Sequence, residues 1–480
     1  MNRNLPDLCV APMVPSRLRH AVPDRNRFGQ ALFIAALLPI AGAIFLVSAS
    51  GRFASSAPIL IVALLAAGAA WLAAVALARR GLGDLRVVVA GAIALRLLAF
   101  AGEPGLSDDV YRYLWEGEVV LEGASPYAYS PADLEVPEIA VLGRRFPELR
   151  ARVNHPEVRA AYPPLSQVMG ASAAALARAF GLAPEEGGVR ILRALYGLCD
   201  LLVLWPLVHL LRRAGLPNAL AVVWGWCPLA ALEFAGSGHQ DSLAILLLLG
   251  ALALAGSRGV FATALCWSGG ILAKYLPLVA LPWFVRGRGG VRRLAIAACL
   301  VAIGFAPFLL LRGSEAGFLA GLAEYARRWE ASSLVHRWVE AVFDACFRRD
   351  ESWTDPRLLA RSVLALAWVA CALTVARRVR DAVTGCGLLL GAWLVLSPTL
   401  HPWYLTWMLP FLALRTSAAW AWLLFAAPLL YAPLPRWQAE GVWSEPAWLW
   451  PAIALPFFAL LLREAWLGSR TQPSPADLAR

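Results

Sequence analysis

Residues 85–123 read "LRVVVAGAIALRLLAFAGEPGLSDDVYRYLWEGEVVLEG". Apart from Arg86 and Arg96, the chain is apolar up to Ala101. It then turns to the adjacent carboxylates Asp108 and Asp109, followed by Tyr, Arg and Trp. A helix rises 1.5 Å per residue, so the first part crosses most of the roughly 30 Å of bilayer hydrocarbon. The second part is too polar to enter it. A membrane span leading into an acidic, aromatic segment is therefore the unit from which the fold is read.

Apolar runs recur along almost the whole chain. We read about fourteen spans, near 30–48, 57–78, 85–101, 162–180, 190–211, 217–235, 240–256, 260–284, 292–311, 358–376, 382–398, 401–415, 418–434 and 447–463. Of 480 residues, 60% are hydrophobic and only 16% charged, against about a quarter charged in soluble domains. Hydrocarbon leaves backbone polar groups no partner but each other, so the expected fold is all-α, a polytopic helical bundle. There is no internal repeat.

The net charge of +11 is distributed as membrane topology requires rather than as nucleic-acid binding does. Arginines cluster in short loops: Arg3, Arg17, Arg19, Arg25 and Arg27 before the first span, then Arg79, Arg80 and Arg86, then Arg286, Arg288, Arg292 and Arg293, then Arg377, Arg378 and Arg380, and Arg463, Arg470 and Arg480 at the tail. Such clusters mark the cytoplasmic side. Strict alternation then places the two long polar stretches, 102–161 and 312–357, on the non-cytoplasmic side. Arg212 and Arg213 conflict with that count: either the helices around them are short and buried, or one segment does not cross. The first 28 residues lack a cleavage pattern, so the run near 30–48 reads as a retained anchor. Of eight cysteines only Cys346 falls in a long loop, and no disulfide framework or zinc motif emerges.

The stretch 102–161 holds eleven acidic residues against six arginines, and its aromatic content argues for order. After Asp109, an apolar stripe of Val110, Tyr113, Leu114, Val119, Val120 and Leu121 opposes an i, i+4 pair of Arg112 and Glu116. An amphipathic helix lying in the interface fits. Two readings of its start stand side by side. Ser107, Asp108 and Asp109 cap the helix, where the dipole favours anions; or one carboxylate accepts a proton or holds a cation, since a cap needs only one anion and two repel.

Other polar residues sit where hydrocarbon is expected. Arg96 is near enough to the end of its span to snorkel. Lys274 either snorkels or is functional, because ionisable groups within a span are costly. Asp200 calls for a polar partner inside the bundle. His401, between Pro398 and Pro402, stands where a helix must begin, with Trp403, Tyr404 and Trp407 as an interfacial aromatic belt. Tyr162, Pro163 and Pro164 shape a helix start. His155 and Glu157 either touch substrate or face water. Glu233, His239 and Asp241 surround a turn that alternation assigns to the cytoplasm, which weakens a catalytic role for them. Tyr325, Arg328 and Trp329 are placed to cover a site.

Six ordered elements across 85–415 carry a resemblance: "SDDVYRYLWEG", "GASPYAYSP", "NHPEVRAAYPPLSQ", "EFAGSGHQDSLAILLLL", "GGILAKYLPLVALP" and "SPTLHPWYLTWMLPF". They are similar to the GT-C superfamily of integral-membrane glycosyltransferases, and within it to bacterial mannosyltransferase-like members of the GT87-type group. The Ser-Pro-Tyr and Tyr-Pro-Pro elements also resemble the mannosyltransferases that begin GPI-anchor glycans. The resemblance implies a catalytic module at 85–415 with outer loops 102–161 and 312–357, preceded by a cytoplasmic tail at 1–29 and two extra spans at 30–84. Further spans at 416–463 and a cytoplasmic tail at 464–480 follow.

The implied reaction is an inverting, single-displacement transfer of a hexose, mannose first, from a polyprenyl-phosphate sugar to a glycan or glycolipid hydroxyl. Asp109 in the "DVYRY" core is the implied general base, with Asp108 the alternate and a carboxylate of nearly ordinary pKa sufficient. Arg112, Lys274 and His401 are implied against the leaving phosphate, and Tyr111, Tyr127, His155, Tyr162 and Tyr404 as further substrate-binding residues. No metal ligand or cofactor is implied, although a divalent metal is compatible with the chemistry. The partners are the lipid-linked donor, the acceptor and membrane lipids, with no nucleic acid. The expected setting is multi-pass in a bacterial inner (plasma) membrane, with the site facing the periplasm. Neither a dinucleotide-binding fingerprint nor a Walker lysine motif is present, which agrees with sugar arriving on lipid. Rival classes are a flippase or transporter, which would be expected to show inverted repeats, and a ligase or polymerase of lipid-linked glycans.

Overall fold

A computed structural model describes residues 23–51, 56–255, 259–287, 289–347 and 355–470. Arg3, Arg17, Arg19, Arg288 and Arg480 lie outside the described residues, as do the side chains of Arg25 and Arg470. The described chain is helical throughout, and its only β features are isolated bridges. Each of the fourteen predicted segments is a helix or a string of short helices. Among the described residues, seven helices are long and apolar enough to cross a bilayer, or eight if the bent pair Asn218–Gly225 and Pro228–Gly236 counts as one span. The predicted all-α polytopic membrane fold is the observed one.

Which end of the bundle each connection occupies follows from contacts. The helix Leu85–Ala101 ends beside Arg193, whose guanidinium donates to the carbonyls of Ala99 and Phe100. The interfacial helix Asp109–Leu121 then lies across that end. Packed along it is Pro164–Ala179, begun by Pro164 at its first position. Glu116 accepts from Gln167 at 2.8 Å, Glu118 pairs with Arg178, and a Cβ on Gly117 would meet the Gly170 carbonyl carbon at 2.2 Å. Only two glycines let these backbones touch. A few residues later Arg190 reaches Glu103 at 3.5 Å. The segment 162–180 therefore leaves and returns at the same end, and corrects the prediction that it crosses.

That correction removes the conflict over Arg212 and Arg213. The helices Val189–Leu202 and Leu204–Arg213 now run to the opposite end, where Arg213 donates to the carbonyl of Ala253 at 3.0 Å. The turn 236–241 comes back to the end holding Asp109, contrary to the strict alternation. Gly238, at φ +79°, is there because its tight turn packs on Val110 and Arg193.

The predicted span 260–284 is also not a single crossing. Val260–Ala273 climbs to Lys274, whose backbone is extended (φ −158°, ψ 143°). The chain then doubles back through Leu276–Ala280 and Leu281–Phe284. Trp267 donates to the carbonyl of Pro277 across this hairpin at 2.9 Å, and Gly289 ends beside Val260. The two departures cancel, so both long loops still share one end. Gly123, Ser125 and Arg312 join them backbone to backbone, at 2.9 and 3.0 Å.

Two further expectations change. The interfacial helix presents no face to water: every residue from Val110 to Val119 is buried, because the short helices Pro137–Arg145 and Pro147–Ala151 and the irregular run after Asn154 cover its outer side. Arg96 does not snorkel. It is 3% exposed and meets Asp200, 0% exposed, through two nitrogens at 2.7 and 3.0 Å, with the carbonyls of Gly225 and Trp224 taking its other donors. This is the partner that Asp200 required.

Candidate active site

Ser107, not an aspartate, caps the interfacial helix: its hydroxyl accepts from the Asp109 N–H at 3.3 Å, and Asp108 makes no side-chain cap. Both carboxylates instead converge on Asn154, whose Nδ2 donates to Asp108 at 2.7 Å and to Asp109 at 2.8 Å. The capping reading thus holds for Ser107 and fails for the two aspartates. One amide holding two neighbouring anions together is an arrangement that stability alone does not call for.

Asp109 stands at the focus. Tyr113 reaches its Oδ2 at 3.5 Å and His239 Nδ1 lies 3.9 Å from the same oxygen. The other imidazole nitrogen of His239 is 3.2 Å from Glu233, which accepts from the Tyr431 hydroxyl. His239 and Glu233 are fully buried. Trp403 stacks on His239 at 4.0 Å and on His401 at 4.3 Å, linking the turn after Gly236 to the start of the helix Pro402–Leu405.

A second charged pair adjoins this cluster. Lys274 donates to Asp241 Oδ1 at 2.6 Å, and Trp407 Nε1 donates to the same oxygen at 2.7 Å. The ammonium also lies over the rings of Tyr404 and Tyr162, at 4.8 and 5.8 Å. Trp407 and Tyr404 are thus interior residues, not an interfacial belt. Tyr404 shares a 2.6 Å hydrogen bond with Tyr325 of the second long loop.

The two carboxylates differ electrostatically, although the implied chemistry needs only a nearly ordinary value. Burial, then the charge of Asp109, raise Asp108 to about 6. Burial alone would raise Asp109 as well, but the His239 charge and the Asn154 amide outweigh it and hold Asp109 below the usual carboxylate value. The acids of His239 act in return: burial opposes its charge, yet Glu233 and Asp109 raise it.

The structure brings Asp108, Asp109, Tyr162, Lys274, His401 and Tyr404 into one cluster. Four residues predicted to touch substrate are engaged differently. Arg112 pairs with Glu116 at 3.8 Å, as predicted, while its donors go to the side chain of Asn154 and the carbonyls of Asn154, His155 and Val158. It braces the loop that carries Asn154. Tyr111 accepts from Arg152 at 2.9 Å. Tyr127 donates to the carbonyl of Tyr162 at 2.9 Å. His155 sits between Trp329 and Trp437, at 4.6 and 5.5 Å, so Trp329 does roof this region, whereas Arg328 faces outward to Glu324. Asn154 was overlooked beside the more conspicuous His155. His239 and Glu233 were discounted because the span count put their turn at the wrong end.

Taken together, the fold is that of an integral membrane protein with a buried acid–imidazole–amine cluster where its two long loops meet the helical bundle. Residues 31–287 match the family model described as alpha-(1->6)-mannopyranosyltransferase, N-terminal domain, and residues 331–433 match the MptB C-terminal domain. The chain belongs to the alpha-(1->6)-mannopyranosyltransferase family, and the resemblance to GT-C mannosyltransferases holds. No curated protein and no solved structure matches it.

Proposed function

We propose that this membrane mannosyltransferase moves mannose from a polyprenyl-phosphate donor to a hydroxyl of a glycan or glycolipid acceptor, at the non-cytoplasmic face of a bacterial plasma membrane and without a cofactor. The family description supplies the sugar and an alpha-(1→6) product. In a single displacement the configuration inverts, so an alpha product calls for a beta-linked donor. Asp109 takes the proton of the acceptor hydroxyl as that oxygen attacks the sugar C1, the bond from C1 to the phosphate oxygen breaks, and the lipid phosphate leaves with the electron pair. His239 steadies Asp109 in its ionised form, Asp108 and Asn154 fix its orientation, and Lys274 offsets charge on the departing phosphate while His401, as a neutral imidazole, offers it an N–H.

The observation that carries this reading is the convergence of Asp108 and Asp109 on Asn154, with Asp109 turned to His239. General-base removal typically lowers rate 10²–10⁴-fold. Purified protein in lipid, given labelled polyprenyl-phosphate mannose and a lipid-extract acceptor, should lose transfer by about that factor in Asp109→Asn while still binding donor. Wild-type rates in both single Asn variants and in the double variant overturn the assignment. Tags placed at 132 and 214 report the sidedness separately.

A further inference from the structure

A second cluster of ligating side chains lies in the outer loop and takes no part in the chemistry above. Glu330, His336 and Glu340 each offer one donor atom, all within 4.8 Å of one another. His336 opens the helix His336–Cys346 and Glu340 follows one turn later on the same face. The imidazole is fully buried, and neither of its nitrogens has a hydrogen-bond partner. Orphaned polar groups in a native interior call for a specific explanation. Nδ1 points between the two acids, 3.5 Å from Glu330 and 3.8 Å from Glu340.

These separations are long for hydrogen bonds. They approach the roughly 3–3.5 Å that donor atoms keep when each is bonded at about 2.0–2.2 Å to one ion. A protonated imidazole clasped by the acids is the alternative; either state leaves the Nε2 N–H without a partner, and it is the length of the two Nδ1–carboxylate separations that favours an ion between them. Arg357 donates to Glu340 Oε1 at 3.0 Å, which leaves Oε2, the atom nearer His336, available for an ion. One neutral imidazole with two carboxylates suits a divalent first-row transition metal better than thiol-seeking or all-oxygen ions.

We propose that Glu330, His336 and Glu340 bind such an ion, of the Zn²⁺ or Mn²⁺ kind, and that it fastens the second outer loop. Glu330 directly follows Trp329, which packs on His155. Ala331 is bonded through its backbone to Pro398 and Leu400, at 3.2 and 2.7 Å, immediately before His401. An ion here ties down the chain that covers the acid–imidazole–amine cluster while standing outside it.

The probe is Co²⁺, added to detergent-purified full chain after chelator treatment, with visible absorption and thermal unfolding as readouts. Zn²⁺ and Mn²⁺ are compared by unfolding alone. Neither readout requires turnover, so the result is independent of the transfer reaction. One Co²⁺ per chain and a raised melting temperature are expected, both lost in His336→Gln. Glu330→Gln, at a half-exposed position that spares the fold, should weaken binding at least tenfold, since even an outer partner of a ligand is worth 10–100-fold. Absence of Co²⁺ absorption and of stabilisation overturns the proposal. So does a signal that survives in both variants, or one abolished by Asp109→Asn but retained in His336→Gln.

Discussion

Asp108 and Asp109 are chemically identical neighbours that the fold drives in opposite directions. Asp108 is raised to about 6 from 3.8, so the folded state holds its proton more tightly than the unfolded chain, and ionising it costs stability as pH rises through that window. Asp108→Asn should therefore raise the melting temperature at pH 7.5, with the gain shrinking below pH 6 and gone below about 3.8. Asp109 is depressed, so its ionised form stabilises the fold above 3.8 and that contribution is lost only in stronger acid. Asp109→Asn should lower the melting temperature at pH 7.5; thermal unfolding across pH checks both signs. His239→Gln removes the charge that holds Asp109 down. The acid limb of its kcat/KM profile should move to higher pH, and an unmoved limb would detach His239 from the base. The acidic pair itself was legible in the sequence because two anions at a membrane boundary are conspicuous. Asn154 was not: a neutral amide shows its role only once the loop at 154–158 is folded over Arg112.

Among the elements, the spans were legible to within a few residues because hydrocarbon selects apolar runs. What hydropathy misses is direction. The run 162–180 reads as a crossing in the sequence, yet Gly117 and Gly170 lay Pro164–Ala179 along another helix. The stretch "GGILAKYLPLVALP" folds into a hairpin at Lys274, and its glycines and Pro277 were the visible signs of a break. Gly117→Ala drives a methyl into the backbone of Gly170 and should cost about 3 kcal/mol, the upper end of the usual overpacking range. Thermal unfolding measures this, and transfer should fall with it because the same helix begins at Asp109.

At the scale of the whole molecule, both ends of the bundle can be labelled. A tag inserted at 132 should be reached from one face of sealed vesicles and tags at 214 and 287 from the other. Labelling of 132 and 214 from one face would contradict the path described for 162–213. Inside, Arg96 and Asp200 form a buried pair that locks two helices together. Arg96→Leu, leaving the acid alone, should cost about 3–5 kcal/mol, while Arg96→Leu combined with Asp200→Leu should recover most of it. Melting of the three variants decides this.

That pair also has a consequence in time. Arg96 is made 104 residues before the acid it needs, so during synthesis Leu85–Ala101 emerges from the ribosome with a lone guanidinium five residues from its end. The nascent helix gains little by slipping into lipid on its own and is better held at the translocon until Val189–Leu202 arrives. A chain truncated near residue 180 should linger there or be degraded, whereas one reaching residue 220 should partition into the bilayer as a joined hairpin.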